Sequence, residues 1–410
     1  MGSKKIVLLD TGKEWGGGTN SLLELLKRVD RSKYEFNCVF YDDYQKGGGP
    51  KISEELARLG IGFTQLPRRP QTKGAKLLKE AVRVLCFFSK RLRRIGVFLV
   101  DYFFRIRPDA ARIAEVLRRQ HVDLLYMNNQ PSSNLEGILA ARAVVIPVIQ
   151  HNRIDVTLNP IEMRIANRGL RKIICVSDGV RQALVEQGID PAKCIVVHNG
   201  IDADTKPRLS PAEIRISARA GDELLVGTVG SLIRRKRVAD LIRAVAVLVK
   251  ERRKSVKCLV VGAGPEQANL TAEARRLGVA DRIIFAGFQA DAVSYINAFD
   301  IFALPSEKEG LPRVILEAML MAKPVAASRV VGPSELVVDG QSGLLLPLGE
   351  TRPWVDALER LIDDPALRAQ MGNAGRQRVL EQFSIDKYVA GVSAVLDEVL
   401  ESRAGKLHSP

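Results

Sequence analysis

Short apolar runs alternate with longer helix-like segments along the whole chain, and this alternation constrains the fold more than any other feature. Short apolar runs are typical of strands buried on both faces of a parallel sheet, and the segments between them then form crossover helices. Two series of runs predict two doubly wound α/β domains. The predicted strands are 6–9, 36–41, 124–126, 144–149, 173–176 and 194–197 in the first series, and 224–229, 257–261, 282–285, 301–304, 324–326 and 343–346 in the second.

The chain has 410 residues, which is too many for one ordinary hydrophobic core. A polar stretch over 199–212 contains Pro207 and Pro211 and separates the two series of runs. We therefore expect a first domain over residues 1–205 and a second domain over residues 206–384. A last helix over residues 385–402 has no place in the second sheet.

Positive charge is concentrated in one part of the first domain. The net charge is +15, and residues 66–120 contain 15 Lys and Arg against 4 Asp and Glu, a local excess of +11. Apolar residues recur at steps of three and four from Leu78 to Leu99, with basic residues mostly off that face and aromatic residues nearby. This segment is too charged to span a bilayer. It favours binding to an anionic membrane surface through residues 73–107.

Two other interpretations of this segment remain open. It could be an ordinary helix of the fold with a solvated basic face. Binding to single-stranded nucleic acid would need a groove with stacking aromatics, which the rest of the sequence does not indicate, so no nucleic acid is expected.

The five cysteines have no short paired spacing, so neither a disulfide framework nor a zinc site is indicated. Free thiols suit a reducing cytosol. The first apolar run is too short for a signal peptide. The sequence therefore predicts a cytoplasmic protein that associates peripherally with the inner face of the cell membrane.

The stretch 306–324 contains the most specific chemistry. Pro312 suits the first position of a helix, and Gly310 lets the backbone approach a ligand closely. The free amides of such a first turn, together with the helix dipole, favour an anion. Glu309 precedes the helix, and Glu317 lies inside it among apolar neighbours, where a carboxylate needs a partner such as a sugar hydroxyl.

Glu309 and Glu317, separated by seven residues, resemble the paired-glutamate motif of the family 4 retaining glycosyltransferases. Further matches lie in order around them, at Ser306, Gly310, Pro312, Ala318, Met319 and Pro324. The resemblance implies the GT-B fold, with two Rossmann-like doubly wound domains facing across a cleft, and a membrane-associated bacterial-type enzyme. It also implies that the C-terminal helix, residues 385–402, packs back on the first domain.

The resemblance implies a donor site for a nucleotide sugar, with UDP-sugar favoured and GDP-sugar possible. Glu309 would hold the sugar hydroxyls, Glu317 the ribose hydroxyls, and Lys236 the diphosphate. Ser231 stands where the family often has an arginine, so Arg235 or Arg234 would replace that arginine. The remaining donor residues implied are Gly17, Gly18, Gly264, Gly287, Gly310 and Leu311.

The implied acceptor is a glycan or a lipid-linked molecule, and it would be bound by the first domain. His151 follows an apolar run and matches a family histidine that lies close to the reacting sugar. Asn128, Asn129 and Gly16 are expected at the same carboxyl edge of the sheet. The catalytic residues implied are therefore Glu309, His151 and Lys236. The second domain has no carboxylate cluster of the kind a metal-dependent site needs, so we expect no obligatory metal and no cofactor besides the nucleotide-sugar co-substrate.

Two alternative functions remain open. A nucleotide-sugar epimerase on the same fold would act on the donor alone, and a non-catalytic basic protein would bind nucleotide or nucleic acid. The sequence does not identify the sugar, the base, the acceptor or its linkage, or the oligomeric state.

Overall fold

The structure is a computed structural model that describes residues 2–12, 15–45 and 47–407, with side chains described up to residue 402. The chain forms two compact units. The first comprises Met1–Val197 and Val389–Pro410, and the second comprises His198–Tyr388. Each unit contains one parallel sheet with helices as crossover connections.

The sheet of the first unit has seven strands in the order β3-β2-β1-β4-β5-β6-β7 within the described residues, and all of its pairs are parallel. Its central strands are buried on both faces, as crossover helices on both sides require. The strands are β1 (Lys4–Asp10), β2 (Tyr34–Phe40), β3 (Gly62–Gln65), β4 (Leu124–Asn129), β5 (Val148–Asn152), β6 (Lys172–Cys175) and β7 (Cys194–Val196).

The helices of the first unit follow the predicted alternation. They are α1 (Gly17–Arg28), α2 (Ile52–Arg58), α3 (Lys73–Leu85), α4 (Lys90–Asp101), α5 (Arg107–Arg119), α6 (Leu135–Ala143), α7 (Pro160–Gly169) and α8 (Asp178–Glu186). A π-helical turn, Tyr102–Ile106, joins α4 to α5, and 3₁₀ turns cover Pro131–Ser133 and Pro191–Lys193.

The sheet of the second unit has the strand order β10-β9-β8-β11-β12-β13. Its strands are β8 (Leu224–Val229), β9 (Val256–Val261), β10 (Ile283–Gly287), β11 (Ile301–Leu304), β12 (Val325–Ser328) and β13 (Gly343–Leu346). The core on one side of it is built from α10 and α15, with Trp354 fully buried. The helices are α9 (Pro211–Ser217), α10 (Val238–Lys250), α11 (Gln267–Arg276), α12 (Ala292–Ala298), α13 (Arg313–Leu320), α14 (Val331–Leu336), α15 (Thr351–Asp363) and α16 (Pro365–Gln382), with a 3₁₀ turn at Arg234–Lys236.

The last helix, α17 (Ile385–Leu407), passes from the second unit into the first, since its residues from Val389 onward belong to the first unit. There Lys172 Nζ lies 2.9 Å from Glu398 Oε1, and the Tyr34 hydroxyl donates to the Asp397 carboxylate. The unit boundaries therefore lie at 197/198 and 388/389, a few residues from those expected at 205/206 and 384/385.

The structure differs from the sequence prediction in three elements of the first unit. The edge strand β3 was not predicted, and the run 144–149 enters the sheet only from Val148. The basic segment forms two helices rather than one, because the chain turns at 86–89 and α4 packs back on α3. Their close approach needs a residue without a side chain, since a Cβ at Gly96 would lie 2.6 Å from Val82 Cγ1.

Within the described part of the chain, no helix combines the length and the apolar character needed to cross a membrane.

Candidate active site

The strand order of each sheet reverses direction at one point, and ligands of doubly wound folds bind at the carboxyl ends of the strands there. In the second unit this point lies between β8 and β11. The loop after β8 carries Lys236, and the loop after β11 carries Glu309. These two residues are 73 positions apart in sequence and are brought together by the sheet.

Lys236 and Glu309 form a close ion pair with 2.5 Å between Lys236 Nζ and Glu309 Oε1. Glu309 is 7% exposed, and Arg235 Nη1 lies 3.7 Å from its other carboxylate oxygen. Arg235 also donates to the Lys308 carbonyl, which fixes the guanidinium beside the loop. Two cations and one carboxylate therefore converge at this edge.

Glu317 lies on α13 and is paired with Arg313, whose Nε donates to Glu317 Oε1 over 3.0 Å. The sequence interpretation gave Arg313 no role, although the four-residue spacing on a helix could have indicated the pair. Arg313 is mostly buried, with 12% of its side chain exposed, so it also brings positive charge to the helix start.

The helix α13 begins at Arg313, with Pro312 as its N-cap, one residue later than predicted. Leu311 is buried, and its carbonyl accepts a hydrogen bond of 3.0 Å from Asn199 Nδ2. A Cβ at Gly332 would lie 2.5 Å from the Gly310 carbonyl oxygen, so the loop ahead of α13 rests directly on the next helix. The amides of this first turn are held in place by packing.

Glycine backbones form the rest of this edge. A Cβ at Gly264 would lie 2.5 Å from the Leu232 carbonyl oxygen, and one at Gly262 would lie 1.9 Å from that of Gly230. Gly287 ends β10 and lies in the left-handed region, with φ of 68°. Its carbonyl oxygen accepts a hydrogen bond of 2.7 Å from the backbone amide of Gly262, which follows β9. The loops after β8, β9 and β10 thus pack together with little side-chain bulk.

In the first unit the corresponding point lies between β1 and β4. The buried carboxylate of Asp10 ends β1 and accepts from Asn128 Nδ2 over 2.7 Å and from Asn129 Nδ2 over 2.6 Å. Asn128 Oδ1 accepts from Arg153 Nε over 2.8 Å. The two asparagines are the last residues of β4 rather than part of a following loop, and their side-chain amides orient Asp10 and Arg153.

Arg153 lies beside the glycine-rich stretch that follows β1. A Cβ at Gly18 would be 3.6 Å from Arg153 Cγ. Gly16 is the N-cap of α1, so Gly17 and Gly18 form the first turn of this helix. Neither Asp10 nor Arg153 received a role from the sequence. Their positions at two strand ends are the signal that could have identified them.

His151 is fully buried within β5 and does not follow the strand as predicted. Its Nδ1 is hydrogen bonded to the Tyr126 hydroxyl. Burial, with a smaller contribution from the charge of Arg153, lowers the pKa of His151 well below its ordinary value. The imidazole is therefore neutral at pH 7. The structure places it next to Asn152 and Arg153 at the same sheet edge as Asn128.

Comparison with known proteins gives the family of the chain. The model of Glycosyltransferase Family 4 matches residues 15–205, and the model of Glycosyl transferases group 1 matches residues 210–378. The chain belongs to the family 4 glycosyltransferases, and its fold is GT-B, which confirms the family and fold predicted from the paired glutamates.

Individual relatives fit this assignment. N-acetyl-alpha-D-glucosaminyl L-malate synthase of Bacillus anthracis is 27% identical over 73% of this chain and 81% of its own length. Lipopolysaccharide core biosynthesis glycosyltransferase LpsE of Rhizobium meliloti is 33% identical, but over 45% of this chain and only 51% of its own length. The structure of Anabaena HepE in complex with UDP-glucose matches with a TM-score of 0.76 and 22% identity, over 96% of this chain and 99% of that protein.

Proposed function

We propose that this glycosyltransferase moves a sugar, with retention of anomeric configuration, from a UDP-sugar to a glycan or lipid-linked acceptor at an anionic membrane surface. The observation that carries the donor part is the meeting of Lys236, Arg235 and Glu309 beside the start of α13. Support for uridine comes from HepE, which binds UDP-glucose. Support for a surface glycan comes from LpsE, which acts in lipopolysaccharide core biosynthesis.

The chemistry requires stabilisation of a departing nucleoside diphosphate. Negative charge builds up on the phosphates as the bond to the sugar breaks, and preorganised cations and backbone amides lower the barrier for that step. Lys236, Arg235 and the first-turn amides of α13 supply these groups. The sugar becomes oxocarbenium-like, and Glu309 positions its hydroxyls while Glu317 receives the ribose hydroxyls.

A direct test is an assay with a panel of UDP- and GDP-sugars and the purified chain. The expected result is transfer from a UDP-sugar to an added acceptor, with the α configuration of the donor kept in the product as read by NMR. Conversion of the donor to its epimer without any acceptor would instead favour the epimerase. Reaction with GDP-sugars alone would refute the uridine assignment and leave the transferase assignment intact.

The membrane part rests on what we term the hairpin surface, the exposed side of α3, α4 and the π turn. Apolar side chains are unusually exposed there, with Phe87 at 78% and Leu77 at 74%. The others are Leu78, Val84, Leu85, Phe88, Leu92, Leu99, Phe103 and Phe104. Exposed cations accompany them at Lys73, Lys76, Arg83, Lys90, Arg91, Arg93 and Arg94.

Exposed aromatic and aliphatic groups among cations complement the headgroups and upper acyl region of an anionic bilayer. Lys79, which belongs to the same sequence pattern, does not contribute, because it is buried and paired with Asp101 over 2.6 Å. Each exposed Lys or Arg near such a surface adds about 1 kcal/mol to binding.

Vesicle sedimentation tests this part. Replacing Lys90, Arg91, Arg93 and Arg94 by Gln is expected to release the protein from phosphatidylserine vesicles, and Phe87→Ser with Phe88→Ser is expected to weaken binding further. Arg118→Gln with Arg119→Gln is the matched control, because both residues are exposed but lie on α5. Equal binding of all variants would refute the membrane surface.

A further inference from the structure

A second group of charges lies in the first unit, away from the residues discussed above. Its centre is Glu136, which is 1% exposed in the first turn of α6. Glu136 Oε1 accepts from the Tyr41 hydroxyl over 2.8 Å. Two guanidinium groups approach the same oxygen, Arg68 through Nη2 at 3.8 Å and Arg105 through Nη1 at 3.9 Å.

Both guanidinium groups are only loosely engaged by Glu136. Distances of 3.8 and 3.9 Å are ion-pair distances that are too long for hydrogen bonds. Within the described residues, Arg68 Nε is buried and donates to no acceptor. The Arg68 guanidinium is held in position instead by the ring of Tyr41, whose centroid lies 4.8 Å from Arg68 Cζ. The Arg68 guanidinium is thus held in position while its Nε–H remains available to donate a hydrogen bond.

The single carboxylate is also a poor counter-charge. Burial raises the pKa of Glu136, because the carboxylate form loses its solvation, although Arg105 partly opposes this rise. Glu136 also faces two guanidinium groups, so its one carboxylate balances at most one of their two positive charges. An additional anion next to Arg68 and Arg105 would therefore improve the charge balance of the group.

The cluster lies where a ligand would be expected. Arg68 follows β3, Tyr41 follows β2, and Glu136 opens the helix after β4, so three loops at the carboxyl edge of the sheet contribute to it. Arg105 comes from the π turn Tyr102–Ile106, and such turns occur frequently at functional sites.

The cluster is also continuous with the base of the hairpin surface. Arg105 Nε lies 3.6 Å from Asp101 Oδ1 at the end of α4, and Asp101 in turn holds Lys79 of α3 at 2.6 Å. A ligand held by Arg105 would therefore be close to the segment proposed to contact the membrane.

We propose that Arg68 and Arg105 form a subsite for a phosphate group carried by the acceptor. This inference rests on the proposed function, since it specifies the acceptor as a phosphorylated molecule. The planar guanidinium fork matches phosphate geometry, and both groups lie close enough to one carboxylate oxygen for a single phosphate to receive bonds from both. The phosphate comes either from a lipid headgroup or from a soluble sugar phosphate.

Binding of glycerol 3-phosphate, with glycerol as the uncharged control, tests the subsite by calorimetry. Arg68→Gln with Arg105→Gln is expected to weaken glycerol 3-phosphate binding by about tenfold or more, and Arg118→Gln is expected to leave it unchanged. The same titration on Lys236→Met separates the two sites, because binding that survives this change but not the arginine changes belongs to the first unit. Unchanged affinity in the double variant would overturn the proposal.

Two further arms complete the experiment. Adding Glu136→Gln to the double variant removes the buried acid together with its cations, so the test remains valid if the double variant folds poorly. Vesicles of phosphatidylcholine with phosphatidic acid are compared with phosphatidylserine vesicles of equal charge. A preference for phosphatidic acid that disappears in the variant identifies a lipid phosphate, and loss of glycerol 3-phosphate binding alone identifies a soluble source. Donor binding by the wild type is measured separately, so failure of the donor assignment is distinguishable from failure of this subsite.

Discussion

At the scale of single residues, Lys236 and Glu309 are the centre of the proposed donor site. Lys236→Met is expected to lower kcat/KM about 100- to 1,000-fold, because it removes a cation that stabilises the departing diphosphate. It also leaves the nearly buried Glu309 without its closest partner, so the folded state is expected to lose stability.

A double variant separates these two effects. Lys236→Met combined with Glu309→Gln removes both charges and is expected to recover melting temperature but not activity. Arg275→Ala, a change of an exposed arginine on α11 of the same unit, is the control and is expected to retain activity. Recovery of transfer in the double variant, or equal losses in the control, would contradict the assignment.

His151 gives a pH prediction. Its folded-state pKa is depressed, so protons bind preferentially to the unfolded chain once the pH falls below about 6.5. The stability that the neutral imidazole provides is therefore complete above that pH and is lost as the pH falls. Between pH 7 and 5.5 the loss amounts to about 1 kcal/mol.

Urea unfolding of the wild type and His151→Asn at both pH values measures this contribution. The wild type is expected to lose about 1 kcal/mol more than the variant over this range, since the carboxylates common to both chains contribute equally. Identical pH dependence of the two proteins would show that His151 is not held neutral by burial.

At the scale of elements, the loop ahead of α13 depends on its contact with α14. Gly332→Ala would place a methyl group 2.5 Å from the Gly310 carbonyl oxygen, and backbone cannot move aside as a flexible side chain can. The loop is expected to shift, raising KM for the donor about tenfold or more through misplacement of the amides.

Gly74→Ala is the control for this change, because nothing lies within 4 Å of the added Cβ and the position is helical. It is expected to leave KM unchanged and to stabilise α3 slightly. Donor titrations of both variants measure the effect. An unchanged KM in Gly332→Ala would mean that the position of this loop does not govern donor binding.

The strands were largely predictable because burial on both faces produces continuous apolar runs. β3 was not predicted, because Gly62–Gln65 is a partly exposed edge strand with little apolar character. The turn between α3 and α4 was not predicted for another reason. The apolar spacing continues across residues 86–89, so periodicity alone could not show that Gly96 brings the second helix back against the first.

The sequence predicted individual residues for the site but not the contacts among them. Glu309 was proposed from the paired-glutamate motif and Lys236 from the separate resemblance of the loop after β8, whereas their pairing depends on how the loops after β8 and β11 meet. The partner of Glu317 could have been found from helix spacing. Asp10 contacts Asn128, and Arg68 and Arg105 approach Glu136. These residues are far apart in sequence, and no local sequence pattern reveals such contacts.

At the scale of the whole molecule, two sheets of the same topology carry different chemistry. The first unit places Asp10 and Arg153 at the carboxyl ends of β1 and β5, with the neutral His151 inside β5, and adds a basic, apolar surface on a helical hairpin. The second places a lysine, an arginine and two glutamates beside a helix start. The chain belongs to the family 4 glycosyltransferases, and we propose acceptor recognition for the first unit and donor recognition for the second.

We propose that Lys236 and the start of α13 bind the diphosphate of the donor. Calorimetric titration of the protein with UDP and with uridine tests it most directly, since the two ligands differ only in the diphosphate. UDP is expected to bind about 100-fold more tightly, and Lys236→Met is expected to remove most of that difference. Equal binding of UDP and uridine, or a difference that Lys236→Met leaves intact, would contradict the claim.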